Sequence, residues 1–191
     1  MSIHPTSIIE NSTLGKNVSV GPFCYISEST IEDWVTIEGH ARIEKSTIGK
    51  ETQLLWGALI RESTLERSCS IGCEVKRSHL GENNTAKHPG TTIGSVTTGR
   101  WVNFWSGCKF ANYDGHGKGT FILWDNVFLG CNVVISVKAN QTTHIHDNVK
   151  IGAGVHISTN IPSDSLVYMD RDSGKFTLRE GYLAAPWKLN N

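Results

Sequence analysis

The chain has 191 residues, 18 Lys and Arg against 18 Asp and Glu, 38% hydrophobic residues and 19 glycines. That length fits one domain with a short appendage, and the charge balance excludes the cationic surplus of a phosphate-neutralising nucleic-acid binder. No apolar run approaches the roughly 20 residues that span a bilayer. Met1-Ser2-Ile3-His4-Pro5 lacks the basic and apolar regions of a signal peptide, and five scattered cysteines without a C-x-x-C pair point to a reduced, cytoplasmic protein.

The first feature along the chain is a repeat. Ser12-Thr13-Leu14-Gly15, Ser29-Thr30-Ile31-Glu32, Ser46-Thr47-Ile48-Gly49 and Ser63-Thr64-Leu65-Glu66 recur every 17 residues, and Ser78-His79-Leu80-Gly81 follows after 15. Three aliphatic rows accompany it: Leu14, Ile31, Ile48, Leu65; then Ile3, Val20, Ile37, Leu54, Ile71; then Ile9, Ile26, Ile43, Ile60. Steps of six, six and five between rows match neither a helix nor a half-buried alternating strand. One large aliphatic per step describes a short strand followed by a turn. Three steps close a triangular coil, and successive coils stack through backbone hydrogen bonds. The prediction is an all-β parallel β-helix. Gly15, Ser19, Thr30, Gly49, Thr64 and Gly72 are expected as small residues in tight corners, the glycines supplying strained backbone angles.

The pattern weakens from about residue 82 to 122 and then returns. The run from Leu123 to Gly130 is echoed by Ile145 to Gly152, 22 residues on. Two loop insertions are expected, a polar Gly-rich one from Asn112 to Gly119 and a second around Lys138 to Thr142. Pro162 closes the regular region, dividing the chain into a β-helix, 1–162, and a non-repeat C-terminal tail or cap, 163–191.

Interruptions of a solenoid are where function is expected. His88 stands at one, and its unperturbed pKa near 6.5 suits proton transfer, although a lone histidine is more often a surface or packing residue. Glu74 and Lys76 lie about one coil upstream. His144, His146 and His156 are close in sequence, but His146 takes the repeat position of Trp124, so no metal is expected. The aromatics are read as covering flat faces or a subunit interface, and Cys131, with no basic neighbour in sequence, is not read as a nucleophile.

Several motifs carry a resemblance. Glu74-Val75-Lys76-Arg77-Ser78-His79-Leu80-Gly81 is similar to E-V-K-x-x-x-L-G, and Asn112 to Lys118 to N-Y-D-G-x-x-K. Asp125 to Gly130 is similar to D-x-V-F-V-G, and Ile151 to Gly154 to I-x-A-G. Through them, over about residues 55 to 160, the chain resembles the hexapeptide-repeat acyltransferases. Within these it looks like the acetyltransferase half of the bifunctional glucosamine-1-phosphate acetyltransferase/N-acetylglucosamine-1-phosphate uridyltransferases. The resemblance implies a left-handed parallel β-helix with coils of about 17–18 residues, a homotrimer with active sites between subunits, and acetyl-CoA as co-substrate. The acceptor it implies is an amino sugar, phosphorylated or nucleotide-linked. His88 takes the place of the general base, with Glu74 beside it. Arg61, Lys76, Thr92, Asn103 and Lys118 fall at acceptor-binding positions, and Ser106, Asn112, Tyr113, Cys131 and Ala153 along the acyl-CoA groove. Departures accompany the match. Thr92 stands for a family tyrosine, the His88 segment is one residue longer, Cys131 replaces a serine, and the stretch from Arg61 to Lys76 is short. The nucleotidyltransferase half is not expected, since the chain enters the repeat almost at once. Two other readings fit the same residues: a sugar O-acetyltransferase, and a non-catalytic β-helical scaffold or sugar-nucleotide-binding module.

Overall fold

A computed structural model describes residues 1–170 and 172–181. Strands of two to four residues visit three faces in turn, the first beginning at Ser2–Ile3, the second at Ile8–Glu10 and the third at Thr13–Leu14. Each strand pairs in parallel with the equivalent strands one coil before and one coil after, giving sheets of 11, 9 and 8 strands among the described residues. The chain is an all-β, left-handed parallel β-helix.

The three aliphatic rows become three ladders. Ile3 pairs with Val20 and Ile37 with Leu54 on the first face, Ile26 with Ile43 on the second, and Ile31 with Ile48 on the third. In the middle coils these side chains are essentially solvent-free, as Ile43, Ile48, Leu54 and Ile60 show. Ile3 stays exposed because no described coil precedes it. Each coil shares its core with two neighbours, which is how a chain of modest hydrophobicity buries enough to fold.

The repeated serine is a corner device. Ser46 Oγ donates to the Glu44 carbonyl (2.7 Å) and accepts the Ser63 N–H (3.1 Å). Ser29, Ser63 and Ser78 repeat the arrangement, so a buried column of hydroxyls satisfies backbone amides that the corner leaves without a strand partner. The expectation about small corner residues needs correction. Ser19, Thr30 and Thr64 lie in strands, not corners. Nor does positive φ explain Gly15, Gly49 or Gly72; corners reach that region mostly with other residues, among them Asn17, Trp34 and Lys45. Those glycines are required by close approach. A Cβ on Gly15 would lie 2.6 Å from the Asp33 backbone nitrogen, and one on Gly49 2.7 Å from the Glu66 carbonyl carbon.

The stretch from 82 to 122, where the pattern faded, is regular coil. Ala86, Ile93, Phe104 and Phe110 occupy the inward positions, a small residue compensated by large ones. Phe110 packs edge-on against Phe104 and Phe121, with centroids 5.9 and 5.2 Å apart. The insertions leave the corner between the second and third faces: 112–119 after Lys109–Ala111, and 137–141 before Thr142–Ile145. Past Pro162 the first sheet gains another parallel strand, Leu166–Met169, registered on Lys150–Ile151. That strand turns back on Phe176–Arg179 as an antiparallel hairpin. The rest of the expected tail, 182–191, lies outside the described residues. No helix among the described residues is long and apolar enough to cross a membrane.

Candidate functional site

Coil length varies where function was expected. Gln53–Leu54 reaches Leu59–Arg61 through four corner residues, Leu55 to Ala58. In the next coil Ser70–Ile71 reaches Glu74–Lys76 through only Gly72 and Cys73, and in the one after, Thr85–Ala86 reaches Thr92–Gly94 through five, Lys87 to Thr91. His88 thus sits on an enlarged corner directly after a shortened one. The 15-residue step aligns Leu59 with Glu74 and Arg61 with Lys76.

Strand alternation points Val75 inward and Glu74 and Lys76 outward. The Arg61 guanidinium lies 3.3 Å from Glu74 Oε1. Its Nε is buried without a hydrogen-bond partner among the described residues, and a buried donor left unpaired costs about 1–3 kcal/mol. The Lys76 ammonium makes no ion pair or side-chain hydrogen bond with the described residues. A small cavity of about 150 Å³ is lined by Glu74, Lys76, Arg77, Thr92 and Asn112. Asn112 is held there by donating from Nδ2 to Ser95 Oγ at 2.9 Å. The carboxylate, the two cations, Thr92 and Asn112 therefore share one patch of the second face.

His88 is exposed, and among the described residues its ring makes no hydrogen bond. Its neighbour is Trp105, centroids 5.8 Å apart, which in turn lies 6.2 Å from Phe128. Thr85, Lys87, His88, Asn103 and Trp105 line a cavity of about 220 Å³ on the first-face side of the corner. Asn103 and His88 therefore meet, whereas Glu74 and His88 are not hydrogen-bonded within one chain. Lys109 Nζ closes on the Gly90 carbonyl and braces the enlarged corner.

The same corner continues upward through Ser106, Cys131 and Ala153, one per coil. Ser106 Oγ lies 3.5 Å from the Pro89 carbonyl oxygen. The Ser106 carbonyl accepts from Asn132 N–H, and the Cys131 carbonyl from Gly154 N–H, both at 2.8 Å. Tyr113 and Lys118 lie elsewhere, paired across the Gly-rich loop at the corner between the second and third faces. Asp114 anchors that loop: Oδ1 accepts His116 and Gly117 N–H at 2.9 and 3.0 Å, and Oδ2 accepts Ala139 N–H of the second insertion at 2.7 Å. These three amides, Ala139 foremost, hold its carboxyl below the ordinary aspartate value. Four cysteines are buried, and burial pushes the Cys73 thiol up to about 12 and those of Cys69 and Cys108 to about 11. Cys131 is partly exposed. Among the described residues no group of three His, Cys, Asp or Glu could hold a metal ion.

Three features escaped the sequence reading. Trp105 beside His88 could have been found 17 positions along, one coil on. The Arg61–Glu74 pair follows from the 15-residue step, and the Asp114 tie between the two insertions has no local signal.

Repeat and fold together define a hexapeptide-repeat left-handed β-helix protein. By sequence it is 36% identical over 170 residues to the Bifunctional protein GlmU of Clostridium kluyveri, a match covering 86% of this chain and 36% of that protein. It is 32% identical over 183 residues to the Bifunctional protein GlmU of Streptococcus uberis, covering 92% of this chain and 35% of that one. The chain thus spans about a third of the length of the curated relatives it matches. No family model matches it. Among solved structures, the Arabidopsis UDP-N-acetylglucosamine acyltransferase superposes with a TM-score of 0.60 at 17% identity, over 93% of this chain and 73% of that one. The polySia specific acetyltransferase NeuO does so with a TM-score of 0.53 at 14% identity, over 98% and 92%. At such identities the likeness is one of fold.

Proposed function

We propose that the chain is an acetyl-CoA-dependent N-acetyltransferase acting on an amino sugar, phosphorylated or nucleotide-linked and glucosamine-1-phosphate-like, working as a cytoplasmic homotrimer. The observation that carries this reading is the corner column from His88 through Ser106 and Cys131 to Ala153, standing beside a patch of unpaired cationic donors. An extended pantetheine arm suits a straight corner with one rung per coil, and Ser106, Cys131 and Ala153 are the rungs that would line it, with Asn112 and Tyr113 contributed across a subunit boundary. The orphaned Arg61 Nε and the unpaired Lys76 ammonium suit a phosphate oxyanion. Thr92, Asn103 and Lys118 complete the acceptor contacts.

In this mechanism His88 takes a proton from the acceptor ammonium or amine, and Glu74 orients the acceptor. The amine nitrogen attacks the thioester carbonyl, the N–C bond forms, the C–S bond breaks, and the thiolate of coenzyme A leaves and is protonated by the imidazolium. The products are an N-acetyl sugar and coenzyme A, with no redox change. Steady-state assays with acetyl-CoA and a panel of amino sugars test the reading. A His88→Ala variant is expected to lose about 10²–10⁴-fold in turnover, the usual worth of a general base. Equal, background-level turnover of wild type and variant with every sugar overturns it. Alkali-labile product would move the assignment to O-acetylation.

A further inference from the structure

The shortened corner opens a slot. Up to that point the corner between the first and second faces carries a stack of exposed rings: Phe23 on His40, centroids 5.0 Å apart, and His40 on Trp56, 4.6 Å apart. Trp56 leans back over the preceding coil, where a Cβ on Gly39 would touch its ring at 2.4 Å. One side of the indole is therefore covered. Its other side looks toward the coil in which only Gly72 and Cys73 make the corner, and the ring remains 60% exposed. The next full corner is that of His88, two coils above Trp56. Neighbouring strands lie about 4.8 Å apart, so corners two coils apart stand roughly 9.6 Å apart. A ring in van der Waals contact on both sides needs about 7 Å.

The floor is bare by construction. Gly72 has no room for a side chain, since a Cβ would fall 2.4 Å from the Lys87 carbonyl oxygen and 3.2 Å from Leu55 Cβ. Cys73 is buried. Immediately along the strand come Glu74 and Lys76, with Arg61 alongside. An aromatic wall, an imidazole wall, a backbone floor and a cationic exit thus follow in sequence.

We propose that this slot is a ring-binding subsite, in which the hexose ring of the acceptor lays its C–H face on Trp56, turns its amino edge to His88 and directs its phosphate to Lys76. The assignment rests on the proposed function and deepens it. The two residues missing at Gly72–Cys73 are the space the sugar fills, and Trp56 is a specificity residue that touches substrate without taking part in proton transfer.

Calorimetry with glucosamine 1-phosphate, UDP-glucosamine and acetyl-CoA as separate titrants tests it. Trp56→Ala is expected to weaken sugar binding about tenfold, the scale of one lost ring-stacking contact, and Trp56→Phe to recover most of the loss. Inserting glycine and serine between Gly72 and Cys73 restores a four-residue corner and should abolish sugar binding. Acetyl-CoA affinity should stay unchanged in all three, and Trp34→Ala, which removes an equally exposed indole from another corner, should change neither. Sugar affinity within twofold of wild type in Trp56→Ala overturns the proposal, as does a wild type that binds acetyl-CoA but neither sugar. A wild type that binds sugar through Trp56 but no acetyl-CoA leaves the slot standing and overturns the acetyltransferase reading instead.

Discussion

Ser46→Ala isolates the corner hydroxyl column. In the folded protein Ser46 Oγ is the acceptor for the Ser63 N–H at 3.1 Å, and Ser46 and Ser63 are each only 5% exposed. Removing the hydroxyl leaves that amide buried without a partner. The Glu44 carbonyl loses a donor too, but keeps the Glu62 N–H at 3.0 Å, so one orphaned group sets the magnitude, about 1–3 kcal/mol. For a chain of this size about 1 kcal/mol moves the melting temperature by roughly 2–4 °C, so a fall of about 3–10 °C is expected by thermal circular dichroism. Ser68→Ala serves as the comparison. Its hydroxyl donates to the exposed Glu51 carboxylate at 3.1 Å, where water can replace it, and a change under about 0.5 kcal/mol is expected. Ser46→Ala melting within 1 °C of wild type, or no lower than Ser68→Ala, would refute the role given to the column.

Two more outcomes follow from the same structure. A thiol reagent at pH 8 should label native protein at Cys131 alone, since burial raises the thiols of Cys24, Cys69, Cys73 and Cys108 and only denaturation should expose all five; rapid native labelling of Cys73 contradicts its packing. Asp114 has a lowered folded pKa, so its contribution is complete above the ordinary value of about 3.9 and is lost as pH falls through the lowered one. The Ala139 amide proton should titrate by NMR with a midpoint below 3.9, and Asp114→Ala should hasten tryptic cleavage after Lys118 and Lys138 at neutral pH; a midpoint at or above 3.9 removes the tie between the loops.

The coil was legible because Ile26, Ile43 and Ile60 each face inward alone, so their spacing is the coil length. It faded at Ala86, Phe104 and Phe110, where volume is conserved across neighbouring coils rather than at each position. Corner chemistry was read less well. Glycine at 15, 49 and 72 follows from the backbone of the next coil passing within 3 Å, a contact between residues a full coil apart that local propensity does not encode. The strand after Pro162 was hidden because Leu166 and Val167 have no further coil to echo. At the site, residue types were recognisable and placement was not. Arg61 meets Glu74 only because two corner residues are missing, and Asn112 joins Lys76 and Thr92 only because the second face brings three successive coils together.

The central claim is that the corner above His88 is the acyl-transfer groove, and a crystal structure of the protein with acetyl-CoA tests it most directly. The account predicts the pantetheine arm running past Ala153, Cys131 and Ser106 between two subunits, with the thioester facing His88. Acetyl-CoA seated on another face, or its thioester remote from His88, would contradict it.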